Sequence, residues 1–544
     1  MRATSFRSAT PANGAPRKLS PLFDQLDQRY HPATGIRKTL NRVFPTHWSF
    51  MLGEIALYSF VVLLLSGTYL ALFFEPSMQD IAYNGVVDDL RGLQVSRAYN
   101  SVLHISFDVR GGLFVRQVHH WASLLFIAAM VAHMFRVFFT GAFRKPREAN
   151  WVIGVLLLFV AFLAGFIGYS LPDDLLGGTG LRIASGFLMS IPVVGTWTHW
   201  ALFGGEFPGT EIIPRLYILH VLVIPAVLLA LIALHLGLGW WVNHTQFAGT
   251  SIAGKRSVNH TERNVVGVRL FPAYAAKAAG LFAATVGMLA LMGGLFQINP
   301  IWNYGPYNPA HVSAGSQPDW YVLNMEGMLR IFPPWEIHIG NYTIPPAFWA
   351  SPVFLPTLYV IAGAYPWIEK RFTKDNAVHN LLQRPRDAPV RTSLGVMGIA
   401  FYTVLVLSGA NDRIAFTFHL SLNAMVWAGR IGVLLVPPIA YWVTYRVCLG
   451  LERSDRDVLE HGIETGIVRR QQYGGFIEVH QPLGGVDDRG RVIPLTYQGT
   501  PVPKRMNQLG TSGKPVPGSL LTPDPAEETT ALAQASTGRS RPAG

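Results

Sequence analysis

The sequence predicts an all-α integral membrane protein with eight transmembrane helices, the first four forming a four-helix bundle. Three observations support this. Apolar runs long enough to cross a bilayer, which takes about 20 residues, recur eight times along the 544 residues. Charged residues make up 14% of the chain, where a soluble protein carries about 25%. Lys and Arg also gather in alternate connecting loops.

The eight runs, labelled spans A to H, cover 50–74, 113–138, 151–170, 214–241, 274–295, 348–368, 393–410 and 422–449. Span G is the shortest and is interrupted by glycine. The loops that follow B, D and F are basic. They hold Arg144, Lys145 and Arg147, then Lys255, Arg256, Arg263 and Arg269, then Lys370, Arg371, Lys374, Arg384, Arg386 and Arg391. The loops after A and C lean acidic, with Glu75, Asp80, Asp88, Asp89 and Asp108, then Asp173, Asp174, Glu206 and Glu211. Basic loops favour the cytoplasmic side. The expected product is a multi-pass protein of a bacterial plasma membrane with both termini cytoplasmic. The net charge of +12 follows from this topology and from the tails, so it does not point to nucleic acid as a partner.

Four regions follow. Residues 1–48 form a cytoplasmic segment whose 19–42 stretch reads as a surface helix. They hold no short apolar core, so no cleaved signal peptide is expected. Residues 49–245 carry spans A–D, and 246–451 carry spans E–H with a long loop at 296–347. Residues 452–544 form a cytoplasmic extension. Its polar, mixed-charge part to about 505 is compatible with a folded unit, and its Pro-, Gly-, Ser- and Thr-rich end predicts disorder.

The single cysteine, Cys448, excludes an internal disulfide, a four-cysteine iron–sulfur site and covalent haem attachment. Metal chemistry must then rest on histidine. Span B contains His119 and His133, 14 residues apart; span D contains His220 and His235, 15 apart. In an α-helix the first interval falls about 40° short of whole turns and the second about 60° past, each pair being separated by about 21–22 Å along the axis. Two helices thus offer one imidazole each at two matching depths. In the predicted topology His119 and His220 share the outer level, and His133 and His235 the inner. Two haems fit between them, each with both axial positions filled and suited to electron transfer. A single intramembrane histidine would read equally well as a packing residue; two matched pairs do not. His120 points about 100° away from His119 and reads as packing.

Gly53 and Gly67 of span A, and Gly154 and Gly168 of span C, repeat the 14-residue interval. Glycine admits a flat ring against a helix backbone; close helix packing is the plain alternative for either pair taken alone. Arg116 and Arg136 stand three residues outside the span B histidines, where haem propionates would emerge. Snorkelling arginines would occupy the same places.

The segments RQVHHWASLLFIAAMVAHMFR, WVIGVLLLFVAFLAGFIGYSLP, IPVVGTW, RLYILHVLVIPAVLLALIALH and PDWY together resemble the cytochrome b family of bacterial cytochrome bc complexes, over residues 20–450. The 15-residue interval in span D and the HTQF stretch resemble the plastidic and Gram-positive branch rather than the mitochondrial one, and the single eight-span chain and the long tail resemble the actinobacterial type, a menaquinol:cytochrome c reductase. The resemblance implies two non-covalent b haems and two quinone sites. The outer, quinol-oxidising site would use Pro318, Asp319, Trp320 and Tyr321 with Gly195, and Asp319 stands where the family often has glutamate. Glu326 is a second candidate proton acceptor. The inner, quinone-reducing site would use His244, Gln246 and Lys277, although Ala278 replaces an aspartate frequent in the family. GYSLP is followed by Asp173 and Asp174 rather than the usual tryptophan, which predicts a distinct start to the C–D loop. Implied partners are a Rieske iron–sulfur subunit, a cytochrome c subunit, a second copy of the complex, a terminal cytochrome c oxidase and membrane lipid.

Two alternatives remain at this stage. One is a haem b anchor of a formate dehydrogenase or hydrogenase; the other is a transporter that binds no haem.

Overall fold

The computed structural model describes residues 32–484 apart from Glu206, 254–255 and 312–313, together with the single positions 29, 495 and 502. Expectations for the N-terminal 28 residues, and for disorder at the C-terminal end, lie outside the described residues.

Eight helices are long and apolar enough to cross a membrane. They are A Trp48–Ala71, B Gly112–Phe139, C Glu148–Ser170, D Ile212–Trp241, E Leu270–Leu295, F Pro346–Thr373, G Pro389–Gly409 and H Leu422–His461. A helix satisfies its backbone hydrogen bonds within itself, which the hydrocarbon layer requires. The outward faces remain apolar: Leu234, Leu291, Val360 and Ile439 are all exposed, as suits surfaces solvated by lipid rather than water.

Spans A–D close around a buried cluster that includes Ala56 and Phe60 of A, Phe126 and Ile127 of B, Ala161 and Phe162 of C, and Leu228 of D. Phe60 and Phe126 stack at 5.5 Å, midway along the bundle between the two histidine levels. Span E packs on A and B, span F on C, and G pairs with H.

The loops after A, C and E are folded. The first has a short hairpin, Asp80–Ala82 with Gln94–Ser96, then helix Arg97–Phe107. The second has helices Leu175–Ser190 and Gly195–Phe203. The third has helix Leu323–Ile331 and hairpin Ile337–Ile339 with Tyr342–Ile344. They share one end of the molecule, here the PDWY end.

The opposite, basic end is stitched by short strand pairs, Val43–Phe44 with Val268–Arg269 and Gln246–Phe247 with Leu381–Leu382. Its arginines are more than a topology signal. Arg147 is buried and donates to the carbonyls of His379 at 2.7 Å and Asn243 at 2.5 Å. Arg391 is 3% exposed and pairs with Glu369 at 2.9 Å. Buried charges are tolerated when paired and hydrogen-bonded, so these two fasten the B–C, D–E and F–G connections.

Span H runs well past the expected boundary at 449, to His461. Its extension is anchored by buried Asp455, which receives Arg384 at 3.0 Å and Arg386 at 3.2 Å. Gly462, at φ 97°, ends the helix, and a hairpin Ile463–Arg470 with Phe476–Gln481 follows. Part of the 452–505 region is therefore folded. Of the expected surface helix, Pro32–Leu40 is helical.

Helix Leu323–Ile331 owes its seat to Gly327. A β-carbon there would stand 1.8 Å from the Leu405 carbonyl oxygen of span G. Gly327→Ala must therefore push the helix off span G, at a cost of about 1–3 kcal/mol as for other overpacked contacts. The expected outcome is a purified complex with a lower thermal midpoint; an unchanged midpoint would show that this contact does not hold the helix.

Candidate functional site

Each bundle histidine meets one of the four glycines. A β-carbon on Gly67 would lie 3.1 Å from the His119 ring and one on Gly53 3.2 Å from the His133 ring, so the glycines of A face the histidines of B. A β-carbon on Gly168 would lie 2.6 Å from His220 and one on Gly154 3.6 Å from His235, so those of C face D. Across the bundle, the His119 and His220 rings are 6.3 Å apart, and the His133 and His235 rings 6.4 Å apart.

The near-equality of these distances has a local cause. Residues Leu219–Val223 form a π-helical turn containing His220. A π turn takes up one residue more than an α turn. The 15-residue interval in D thus behaves as 14, and the angular mismatch expected from regular geometry disappears. Pro225 explains the position of the turn: it has no N–H, and its ring would clash with the carbonyl four residues earlier.

Do these residues fit haem? Among the described residues no group of three or more His, Cys, Asp or Glu could hold a metal ion. A metal between two of these imidazoles needs further donors, which a porphyrin supplies. Half of the ring separation accommodates a metal–nitrogen bond of about 2 Å plus the distance from nitrogen to ring centre. Each glycine keeps its own helix from setting a β-carbon against the facing ring. His119 Nδ1 is bonded to Ser66 Oγ at 2.9 Å, while that hydroxyl donates to the Val62 carbonyl. The serine thus holds the imidazole with Nε2 free, as an orienting partner of a ligating histidine does. Ser66 adjoins Gly67 but carried no spacing signal. Arg116 Nε and Arg136 Nε and Nη2 are buried without hydrogen-bond partners, which suits acidic groups of a ligand. Arg116 otherwise donates to the Asn299 carbonyl at 2.9 Å, and Arg136 lies over the Phe50 ring at 4.2 Å. The residues fit the group.

A cavity of about 380 Å³ surrounds the first histidine level, lined among others by Gly67, His119, His220, Arg116 and Asp319. A second, of about 100 Å³, is lined by Pro318, Glu326, Arg330 and Asp412. Tyr169 lines both and forms the wall between them. The PDWY residues therefore face different spaces. Asp319 turns to the first cavity, where it accepts from His120 Nε2 at 2.9 Å and from the Tyr321 hydroxyl at 2.9 Å. His120 is thus a partner of the loop carboxylate, which corrects its reading as a packing residue. Helical rotation shows which way a side chain leaves its own helix, but not that a loop 199 residues away will meet it. Trp320 stacks edge-on against Tyr321 at 5.8 Å and lines neither cavity. Gly195 opens its helix against the Leu188 and Met189 carbonyls and also lines neither.

Burial works to raise the Asp319 carboxyl, but the charge and hydrogen bond of His120 and the hydrogen bond of Tyr321 hold it below the ordinary carboxylate range. Burial, with Asp319 alongside, pushes the Tyr321 phenol far up, so it remains a donor. Burial also raises Glu326, against the attraction of Arg330. Glu326 Oε1 is bonded to Arg330, which also binds Asp412 at 2.8 Å and the Asn411 side chain at 2.6 Å. Glu326 Oε2 is buried without a partner.

At the basic end the three expected residues have different surroundings. The His244 ring packs on Phe44 at 4.5 Å. Burial, aided by Arg42 and Arg147, pushes its pKa down to about 4. Gln246 is 1% exposed. Its amide nitrogen donates to Thr261 and Asn264, and its oxygen accepts from Val266 N–H at 2.9 Å. It clamps the D–E loop. Lys277 is exposed on span E. A cavity of about 280 Å³ at this end is lined instead by residues such as Arg144, Glu369, His379 and Arg391.

Known proteins resemble this chain in sequence and in fold. Residues 124–306 match the family model described as cytochrome b (N-terminal)/b6/petB. The chain is 60% identical over 518 residues to the cytochrome bc1 complex cytochrome b subunit of Mycobacterium bovis, covering 95% of this chain and 93% of that one. It is 57% identical to the Corynebacterium diphtheriae subunit of the same name (93% and 92% covered) and 49% identical to that of Streptomyces coelicolor (85% and 83%). A solved structure titled hyperthermophilic respiratory Complex III shares the fold, with a TM-score of 0.55 at 21% identity, covering 78% of this chain and 99% of that one. With 60% identity across nearly its whole length, the chain belongs to the family of cytochrome b subunits of actinobacterial cytochrome bc1 complexes.

Proposed function

We propose that this chain is the di-haem subunit of a respiratory quinol:cytochrome c oxidoreductase. It oxidises quinol at the PDWY end, sends one electron to a Rieske iron–sulfur partner and the other across the membrane to a quinone-reducing site, and couples this to proton translocation. The observation that carries the reading is the pair of facing imidazole couples, each ring against its own glycine, at two levels of one bundle. Bound b-type haems supply one-electron carriers with no open coordination position. In this reading both termini are cytoplasmic, the PDWY end faces outward, and the substrate is menaquinol. A cytochrome c subunit, a two-fold dimer and an associated terminal oxidase complete the assembly.

The chain's own residues have distinct tasks. His119 and His220 hold one level, and His133 and His235 the other. Ser66 orients His119. Arg116 and Arg136 offer unpaired donors to propionate groups. In the smaller cavity Glu326 presents an unpartnered carboxylate oxygen to a quinol hydroxyl, and a carboxylate can accept the proton released on oxidation. Asp319, held charged by His120 and Tyr321, stands behind the Tyr169 wall as the second acceptor. Trp320 and Gly195 shape the surrounding loop packing. At the opposite end His244, with its buried unpartnered Nε2, is the best placed of the three residues expected there, while Gln246 and Lys277 would act only from the periphery.

His119→Ala or His220→Ala is expected to remove one of two b-type signals from the reduced-minus-oxidised spectrum of the isolated complex and leave much of the other. Equal loss of both from an assembled complex would sink the pairing. A second measurement addresses Glu326. Arg330 favours its charged form, so Arg330→Met raises its pKa. The acidic limb of the quinol-oxidation pH profile should then move upward by about one pH unit or more. A profile that stays in place, in a complex retaining both haems, would remove Glu326 from the proton path.

A further inference from the structure

The start of the C–D loop places two consecutive carboxyl groups just behind the wall of the larger cavity. Leu171 and Pro172 line that cavity; Asp173 and Asp174 follow. Asp174 is 0% exposed and Asp173 8%. Neither is there by looseness of the chain. Leu175 N–H donates to the Gly305 carbonyl at 2.9 Å, and Tyr307 N–H to the Asp173 carbonyl at 3.0 Å. Asp173 occupies the left-handed region at φ 54°.

Asp174 caps helix Leu175–Ser190 with Oδ2, which accepts from Leu176 N–H at 3.1 Å. Capping alone does not explain an aspartate, because asparagine and serine cap equally well without burying an ionisable group. Its Oδ1 is buried without a partner. Nearby, Arg116 Nε and Asn299 Oδ1 are likewise unpartnered, and both residues line the larger cavity. Buried polar atoms left over by the protein are places for ordered water.

The groups that face Asp174 come from every element around it. They are Arg116 of span B, Tyr169 of span C, Tyr99 of helix Arg97–Phe107, Tyr304 of the E–F loop, and neighbouring Asp173. Tyr169 also lies within electrostatic reach of Asp319 and Glu326, so one buried phenol adjoins both candidate acceptors and Asp174. On the other side Asp173 bonds to Ser96 and feels Asp80, which is exposed in the A–B loop.

We propose that Asp174 and Asp173 form a proton-exit relay from the larger cavity to the protein surface at Asp80. The inference rests on the quinol-oxidising reading above and specifies where its protons leave. A proton released in the outer cavity converts the Asp174 carboxylate to the acid. Asp174 passes it to Asp173 and regenerates its own carboxylate. Asp173 passes it to water beside Asp80 and is likewise restored. Two carboxylates end as they began, and one proton has reached the surface.

Burial places both groups in a working range. It raises Asp174 to about 7, against backbone hydrogen bonds that favour its anion. It raises Asp173 to about 6, against Ser96. Both carboxyls can therefore take up and give up a proton near neutral pH, with Asp174 holding it the more firmly. A negative charge added to the cavity holds the proton on Asp174 more tightly, and its departure releases it. Arrival and exit of the electron thus bias uptake and release in the useful order.

The test uses the whole isolated complex. In the wild type, the midpoint potential of the haem at the His119/His220 level should fall as pH rises through a window around 7. Infrared difference spectra on its reduction should contain a protonated carboxyl band that shifts in deuterated water. Asp174→Asn keeps a capping oxygen but cannot titrate; the potential should become independent of pH in that window and the band should vanish. Asp173→Asn should keep the band and slow quinol oxidation several-fold. The same slope in Asp174→Asn as in the wild type would overturn the relay. If that variant fails to assemble, absence of the carboxyl band from the wild type would do the same. Spectra lacking two b-type haems would overturn the underlying functional reading as well, whereas two haems with an unaltered slope would remove only the relay.

Discussion

The architecture depends on a steric agreement between imidazole and glycine inside a four-helix bundle. Side chains normally fill the space between packed helices to near-crystalline density. Here spans A and C withhold them at Gly53, Gly67, Gly154 and Gly168, and spans B and D turn His119, His133, His220 and His235 toward the gaps. The apolar middle, Phe60 on Phe126, keeps the two levels apart. Because the four contacts involve all four spans, their relative rotation is specified at two heights at once. The π turn at Leu219–Val223 is the adjustment that makes both heights agree.

The PDWY end shows how ionisable groups can be buried usefully. An isolated buried charge is expensive, and each carboxyl meets that constraint differently. Asp319 has His120 and Tyr321. Glu326 has Arg330 on one oxygen and nothing on the other. Asp174 relies on helix-end amides and has no partner on Oδ1. Their satisfaction is graded around Tyr169, from Asp319, bonded by two side chains, to Asp174, whose Oδ1 has no partner.

At the basic end the same arginines serve two physical demands. Their abundance is what the positive-inside tendency requires, yet Arg147 and Arg391 are buried and join connections distant in sequence. Gln246, whose place after span D suggested ligand contact, spends its amide on closing the D–E loop. Local sequence position could not distinguish a clamp from a ligand because both call for the same polar side chain near a helix end.

The sequence by itself determined the eight spans, the bundle of A–D, and the histidines and glycines at matching intervals. Hydropathy and helical periodicity are local, and a bilayer removes most other ways of satisfying the backbone. Even the 15-residue interval in span D was legible, although its reconciliation with the 14-residue interval in B needed the π turn that Pro225 imposes. Only the tertiary structure decided that His120 reaches Asp319, that Ser66 orients His119, that Tyr169 divides two cavities, and that Gln246 clamps the D–E loop while His244 packs on Phe44. Those relations join residues far apart along the chain, and they depend on where folded loops come to rest against the bundle. No periodicity within a single segment encodes that position.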